Sequence, residues 1–238
     1  MTPNSKLKEL SIVIPIYNES KNIEKLWIRI KKNINLKKYE IIYVDDNSKD
    51  NTFAILKKIK KKDKKVKFLI RKNKYKDLSK SCILGFNYSK FKNILVMDGD
   101  LQHDPKYIPI LINKFNDSSG DIIVGCRDFF TSKNKGLNFI RSIASILLIF
   151  SINFLLGKRT SDPMSGFFLF KKKIFINSRK KFYKKGYKIL ADMIYNNKNH
   201  IIIEDIKINF KKRIYGESKI SIKVLLYLII FIFKNFKI

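Results

Sequence analysis

Cysteine, histidine and tryptophan are nearly absent from this chain, at two, two and one residues in 238. Cys82 and Cys126 cannot make a disulfide framework, and neither belongs to a Cys-x-x-Cys pair. The chain therefore reads as a reduced, intracellular-facing domain. His103 and His200 are too few and too far apart to argue for a zinc site. The five prolines and nine glycines form no linker that would divide the chain. No apolar run reaches the roughly 20 residues that span a bilayer as a helix. Residues 1–9 are polar and lack the apolar stretch of a secretory signal. Acidic residues are also scarce, 20 against 51 lysines and arginines, which leaves a formal charge of +31.

That excess points to a polyanionic partner, either nucleic acid or an anionic membrane surface. Part of it is duller, because lysine, isoleucine, asparagine and phenylalanine rise together as an AT-rich coding bias would produce. The aromatic-basic interleaving of single-strand readers is missing, so no nucleic-acid partner is expected. A hydrophobic content of 45% in 238 residues is enough for one domain with a real core.

Short apolar runs alternate with helical patterns through the first half. Strands are predicted at residues 10–16, 40–44, 66–70, 94–97 and 122–124, with helices beginning at 23, spanning 51–61 and spanning 78–88. Ile23, Leu26, Trp27 and Ile30 share one helical face. The alternation predicts an α/β fold, a mostly parallel sheet flanked by helices. Ligands of such sheets bind outside the carboxyl ends of the strands. Polar clusters fall at those ends: Tyr17-Asn18-Glu19, Asp45-Asp46, Asp98-Gly99-Asp100 and Gly125-Cys126-Arg127.

The third cluster carries the most chemistry. An apolar run ends in two carboxylates two residues apart, with Gln102 two further on. Residues two apart on a strand face one side, so Asp98, Asp100 and Gln102 converge if the chain leaves the strand there. Three oxygen ligands suit Mg2+ or Mn2+. Gly99 leaves room for a ligand to approach the backbone. The plainer reading is a surface turn whose acids meet only water, and Asp-x-Asp alone does not separate the two.

Taken in order, the blocks Ile14-Pro15-Ile16-Tyr17-Asn18-Glu19, Val44-Asp45-Asp46-Asn47-Ser48, Met97-Asp98-Gly99-Asp100-Leu101-Gln102-His103-Asp104-Pro105, Gly125-Cys126-Arg127, Asp162-Pro163-Met164-Ser165-Gly166-Phe167-Phe168 and Arg213-Ile214-Tyr215-Gly216-Glu217-Ser218-Lys219 resemble a known family. They are similar to the inverting GT-A glycosyltransferases of family 2, and within these to the dolichyl- and polyprenyl-phosphate mannose synthases. The resemblance covers about residues 10–222. It implies a Rossmann-like GT-A catalytic domain over residues 1–219, with a membrane-interface helix at about 138–156 and a second at 220–238.

By the same resemblance, Pro15, Tyr17, Glu19, Val44 and Asp46 line a nucleoside pocket. Asp98, Asp100 and Gln102 hold Mg2+ or Mn2+, and Gly99 lies against the donor. Asp100, Arg127, Arg213 and Lys219 carry the chemistry around the donor phosphates. Arg141 and Ser145, i and i+4 on a helix face, form the site for the lipid phosphate. Three positions depart from the pattern. Gly99 stands where alanine is usual, Asp77 replaces a glycine in Lys76-Asp77-Leu78-Ser79, and Ala191-Asp192 replaces a Leu-Glu pair.

The implied reaction moves mannose from GDP-mannose to a polyprenyl or dolichyl phosphate. The alternatives are a UDP-sugar donor such as UDP-glucose, or an inert basic module that binds membranes or nucleic acid. The apolar segments at 143–156 and 224–233 lie next to lysines and arginines, which suits helices lying in the plane of an anionic leaflet. The expected location is thus peripheral, on the cytoplasmic face of a membrane, with room for a membrane-anchoring partner subunit.

Overall fold

The computed structural model describes residues 5–72, 75–127, 157, 159–182, 189–197 and 199–210. Three strand-helix units open the chain: β1 (Glu9–Ile16) with α1 (Ile23–Asn33), β2 (Lys38–Asp45) with α2 (Thr52–Lys62), and β3 (Val66–Ile70) with α3 (Leu78–Tyr88). β4 (Asn93–Val96) follows, then a 3-10 turn at Pro105–Tyr107, α4 (Ile108–Asp117) and β5 (Ile122–Arg127). β6 (Phe168–Lys171), α5 (Lys172–Ser178), α6 (Ile189–Asn197) and β7 (Ile203–Ile208) complete the described elements. Every predicted strand and helix of the first half is present.

Seven strands form one sheet in the order β3-β2-β1-β4-β6-β5-β7. The first four are parallel to one another, and β5 is parallel to β7. β6 alone runs against its neighbours, β4 and β5. The expectation of a mostly parallel sheet holds. The antiparallel β6 has no sequence signal of its own, because its apolar run is what a buried strand of either direction requires.

Apolar burial on both faces holds the sheet. Ile23, Leu26, Trp27 and Ile30 of α1 are buried on one face, and each such side chain is worth about 1.5–3 kcal/mol relative to exposure. Trp27 also satisfies its indole N–H on Asp63 at 3.0 Å. α2 buries Leu56 and Ile59 while Phe53 stays 37% exposed, as its lysine-rich pattern predicts. On the opposite face α3 comes so close that a Cβ at Gly85 would overlap Val13 Cγ1. That contact seats α3 closely on β1 and β2.

Among the described residues no helix is long and apolar enough to cross a membrane. The segments 138–156 and 220–238, and with them the expected interface helices and the domain boundary at 219, lie outside the described residues.

Candidate active site at the carboxyl rim

β1, β2 and β4 all end at one rim of the sheet, at Ile16, Asp45 and Val96. Because β6 is antiparallel, its amino end reaches that same rim. Val96 and Val124 both pair with Phe168, so Ser165-Gly166-Phe167 is delivered beside Met97-Asp98. Ser165 Oγ donates to the Gly125 carbonyl at 2.6 Å, and Gly125 N–H donates to the Phe167 carbonyl at 2.8 Å. The entry into β6 is pinned on both sides.

At the end of β4, Asp98 keeps a side chain 31% exposed, while Asp100 is buried at 5%. Leu101 takes a positive φ of 64°, which turns the chain so that Gln102 N–H donates to Asp100 Oδ1 at 3.1 Å. A Cβ built at Gly166 would stand 2.6 and 2.7 Å from the two oxygens of Asp98. One at Gly99 would stand 2.6 Å from Ile16 Cγ2 and 3.6 Å from Glu19 Cγ. Glycine at 99, where the resembled family has alanine, thus leaves space for the Ile16 side chain. His103 is buried at 2%. Its Nδ1 faces Asp98 Oδ2 at 3.4 Å without completing a hydrogen bond. Asp104 caps the 3-10 turn through Lys106 N–H at 3.1 Å, a structural role within the same motif.

Arg127, at the end of β5, is held in a fork by Asp162. Nε donates to Oδ2 at 2.7 Å and Nη2 to Oδ1 at 2.8 Å. Burial lowers the guanidinium pKa and the Asp162 carboxylate raises it, with a net upward shift, so Arg127 is always charged. Asp162 is fully buried. Its loop is tied to β7, where Asp205 accepts from Thr160 Oγ1 at 2.6 Å and from Ser161 Oγ and N–H, each at 2.7 Å. Arg127 was expected as one of the cations around the donor phosphates. The structure gives it a narrower starting role, since much of its charge is already offset by Asp162.

On the other side of Asp98 lies the expected nucleoside wall. Asn18 accepts from Lys49 N–H at 2.8 Å, and its own N–H donates to Ser48 Oγ at 2.8 Å. Glu19 N–H donates to Thr52 Oγ1 at 3.0 Å, which locks the loops after β1 and β2 together. Glu19 is buried and accepts from Asn22 Nδ2 at 2.6 Å. The Tyr17 ring carries Lys76 Nζ at 3.6 Å from its centroid, a cation-π contact. Pro15 and Val44 pair across β1 and β2. Val44 is fully buried and packs toward α3, so its side chain supports the wall from behind.

Asp46 is buried, paired with Arg71, and accepts from Asp77 N–H at 2.6 Å. Burial raises its pKa, and the Asp77 amide and Arg71 only partly offset this. Arg71 is itself buried at 7%. Its Nη2 donates to the Tyr75 carbonyl at 2.9 Å, while Nε and Nη1 have no hydrogen-bond partner. Asp77, the departure from the family pattern, is the N-cap of α3 and accepts from Lys80 N–H at 3.1 Å. Its charge is used at the helix start.

Arg141, Ser145, Arg213 and Lys219 lie outside the described residues. Four residues gained importance only from the fold: His103, Arg71, Asp162 and Gly166. His103, Asp162 and Gly166 stand in the quoted motifs, so the signal was their position within them. Arg71 had no signal beyond its place just after β3.

Asp98 and Asp100 are hard oxygen donors beside a buried imidazole nitrogen that lacks a partner. Gly166 leaves no side chain in the way, and such a set fits Mg2+ or Mn2+. Among the described residues no three His, Cys, Asp or Glu groups gather around one point, so the two carboxylates need an amide such as Gln102, ligand oxygens or water to complete a shell.

The profile of glycosyl transferase family 2 matches residues 11–179. A dolichol-phosphate mannosyltransferase of Pyrococcus furiosus is 34% identical over 223 residues, covering 91% of this chain and 60% of that protein. The chain thus spans about three fifths of that relative's length. A dolichol-phosphate mannosyltransferase of Saccharomyces cerevisiae is 30% identical over 231 residues, covering 92% of this chain and 83% of that protein. Among solved structures, a glucosyl-3-phosphoglycerate synthase of Mycobacterium tuberculosis superposes with a TM-score of 0.69 at 14% identity, over 96% of this chain and 78% of that one. That protein was crystallised with Mn2+ and UDP. Another of its structures, with Mg2+ and UDP, superposes at 0.67 and 12% identity, over 96% of this chain and 78% of that one. At these identities the two show the GT-A fold alone.

Proposed function

The chain belongs to glycosyl transferase family 2, and we propose that it transfers mannose from GDP-mannose to the phosphate of a polyprenol or dolichol. The observation that carries this reading is the convergence at one rim. Asp98 stands against Gly166, Gly99 against Ile16 and Glu19, and Arg127 is aimed by Asp162. The relatives that align over 91% and 92% of the chain are both dolichol-phosphate mannosyltransferases, which supports the acceptor and the sugar.

The acceptor asks little of a general base. A phosphate monoester has a second pKa of about 6, so its oxygen is largely anionic at neutral pH. What the site must supply is charge for the leaving nucleoside diphosphate and a path that brings two anions together. A divalent ion held by Asp98 and Asp100, with Gln102, supplies Lewis-acid neutralisation of the diphosphate when bound. Arg127, with Arg213 and Lys219 from the following segment, offsets the charge that grows on the leaving group. Arg141 and Ser145 grip the acceptor phosphate. Attack from the face opposite the diphosphate inverts the anomeric carbon.

Glu19, Tyr17 and Asp46 receive the nucleoside. The protein works peripherally at the cytoplasmic face of a membrane, where its +31 charge meets anionic headgroups.

The test is to incubate membranes and protein with radiolabelled GDP-mannose, UDP-glucose or UDP-GlcNAc in separate reactions. Label entering the lipid phase from GDP-mannose alone is expected. Label from UDP-glucose instead would overturn the donor, and no lipid label from any of them would overturn the reading. Flotation with anionic but not neutral vesicles is the expected sign of the membrane surface.

A further inference from the structure

His103 is the buried group whose chemistry the proposed reaction leaves unused. It follows Gln102 directly, yet its ring points inward and is 2% exposed. The imidazole stacks on Phe167, with centroids 5.3 Å apart and planes at 21°. Phe210 meets it edge-on at 5.1 Å and 62°. These two rings leave it little freedom to turn. Its Nδ1 is buried, lacks a hydrogen-bond partner and lies 3.4 Å from Asp98 Oδ2.

A phenylalanine would fill the same aromatic slot without hiding an unsatisfied nitrogen, which costs stability. The buried Nδ1 is satisfied if it acquires a partner in another state of the site. Asp98 Oδ2 lies 3.4 Å from that nitrogen, and the charges of Asp100 and Asp162 also act on the ring. Phe167 adjoins Gly166, whose missing side chain leaves the Asp98 carboxylate its space. One short stretch of chain therefore sets both the ring and the room in which the carboxylate moves.

We propose that His103 is a positioning residue for Asp98: its Nδ1 closes a hydrogen bond onto Oδ2 when the site holds its divalent cation, and so orients the carboxylate. This rests on the reading of Asp98 and Asp100 as cation ligands. Partners of this kind, one bond removed from the ion, change metal affinity by about 10- to 100-fold when lost. Phe210 also lies 5.6 Å from the Arg127 guanidinium, so the same aromatic ring touches the supports of both Asp98 and the phosphate-side arginine.

The experiment titrates Mn2+ into the full chain with GDP present and reads free Mn2+ by its paramagnetic resonance signal. Wild type, His103→Phe, His103→Asn and Asp100→Ala are compared, with urea stability measured in metal-free buffer. Phenylalanine keeps the ring contacts and removes the donor; asparagine places an amide N–H near the position of Nδ1. His103→Phe is expected to weaken Mn2+ binding 10- to 100-fold while the metal-free protein is at least as stable as wild type. His103→Asn is expected to recover most of that loss. Wild-type affinity in His103→Phe, or equal loss in both histidine variants, would overturn the role of Nδ1. If Asp100→Ala binds Mn2+ as wild type does, the cation reading itself fails and this inference falls with it.

Discussion

Gly166 stands directly behind the Asp98 carboxylate, so close that a methyl group there would lie 2.6 Å from Oδ2. Real Cβ atoms do not approach that near, so Gly166→Ala must turn Asp98 away. The carboxylate is 31% exposed and can move into solvent, which keeps the stability cost near the low end of the 1–3 kcal/mol typical of overpacking. Catalysis has no such escape, because a misplacement of about 1 Å can cost about 100-fold. We expect Gly166→Ala to lose at least ~10-fold in kcat/KM for sugar transfer with a urea midpoint close to wild type. A kcat/KM near wild type would mean that Asp98 does not act in the geometry seen.

The Arg127–Asp162 fork sets a second expectation. Asp162 is fully buried and Arg127 is 19% exposed. Removing one partner of a buried pair leaves the other charge uncompensated, at about 3–5 kcal/mol. Asp162→Asn keeps the shape and loses the charge, so a loss of about 3 kcal/mol in urea denaturation is expected. A loss under ~1 kcal/mol would show that solvent already screens the pair.

Asp77, which replaces the glycine usual in the resembled family, caps α3. Asp77→Ala should cost about 1 kcal/mol, the usual value of a lost N-cap. Asp77→Gly should cost only a few tenths, and donor KM should be unchanged in it because the Asp77 N–H to Asp46 is retained. Thermal denaturation and donor titration check both halves.

Glu40 sets a pH dependence far from the site. It is buried at 4% and accepts from Ser11 Oγ at 2.7 Å, Lys67 Nζ at 2.7 Å and Lys90 N–H at 2.6 Å. Burial pushes its pKa up, but these bonds outweigh burial and hold it below the ordinary 4.5. A folded pKa below the unfolded one gives stability that is complete above pH 4.5 and is lost as pH falls through the folded value. Glu40→Gln should therefore flatten the acid limb of stability against pH below about 4.5. An unchanged limb in the variant would assign the acid dependence to other carboxylates.

Much of the fold was legible because its signals are local. Ile23, Leu26, Trp27 and Ile30 predict α1 by spacing alone, and the apolar runs ending in Val44 and Met97 predict strands whose ends carry ligands. The strand direction of β6 was not legible. Its three apolar residues, Phe168, Leu169 and Phe170, pair equally well in either direction, and only the neighbours β4 and β5 decide it. The site divides the same way. Asp98, Asp100 and Glu19 were visible as carboxylates at strand ends, whereas the full burial of the Val44 side chain was not, since a strand residue's face depends on what packs above it.

By itself the sequence determined which residues have the chemistry: a carboxylate pair at a strand end, a basic excess, and motifs of one enzyme family. It did so because composition and spacing are properties of the chain alone. Only the tertiary structure decided how those groups are committed. It turned Arg127 onto Asp162, Asp46 onto Arg71, and His103 inward beside Asp98. Those pairings join residues 35, 25 and 5 apart in number, and in each case burial in a shared site, not distance along the chain, selects the partner.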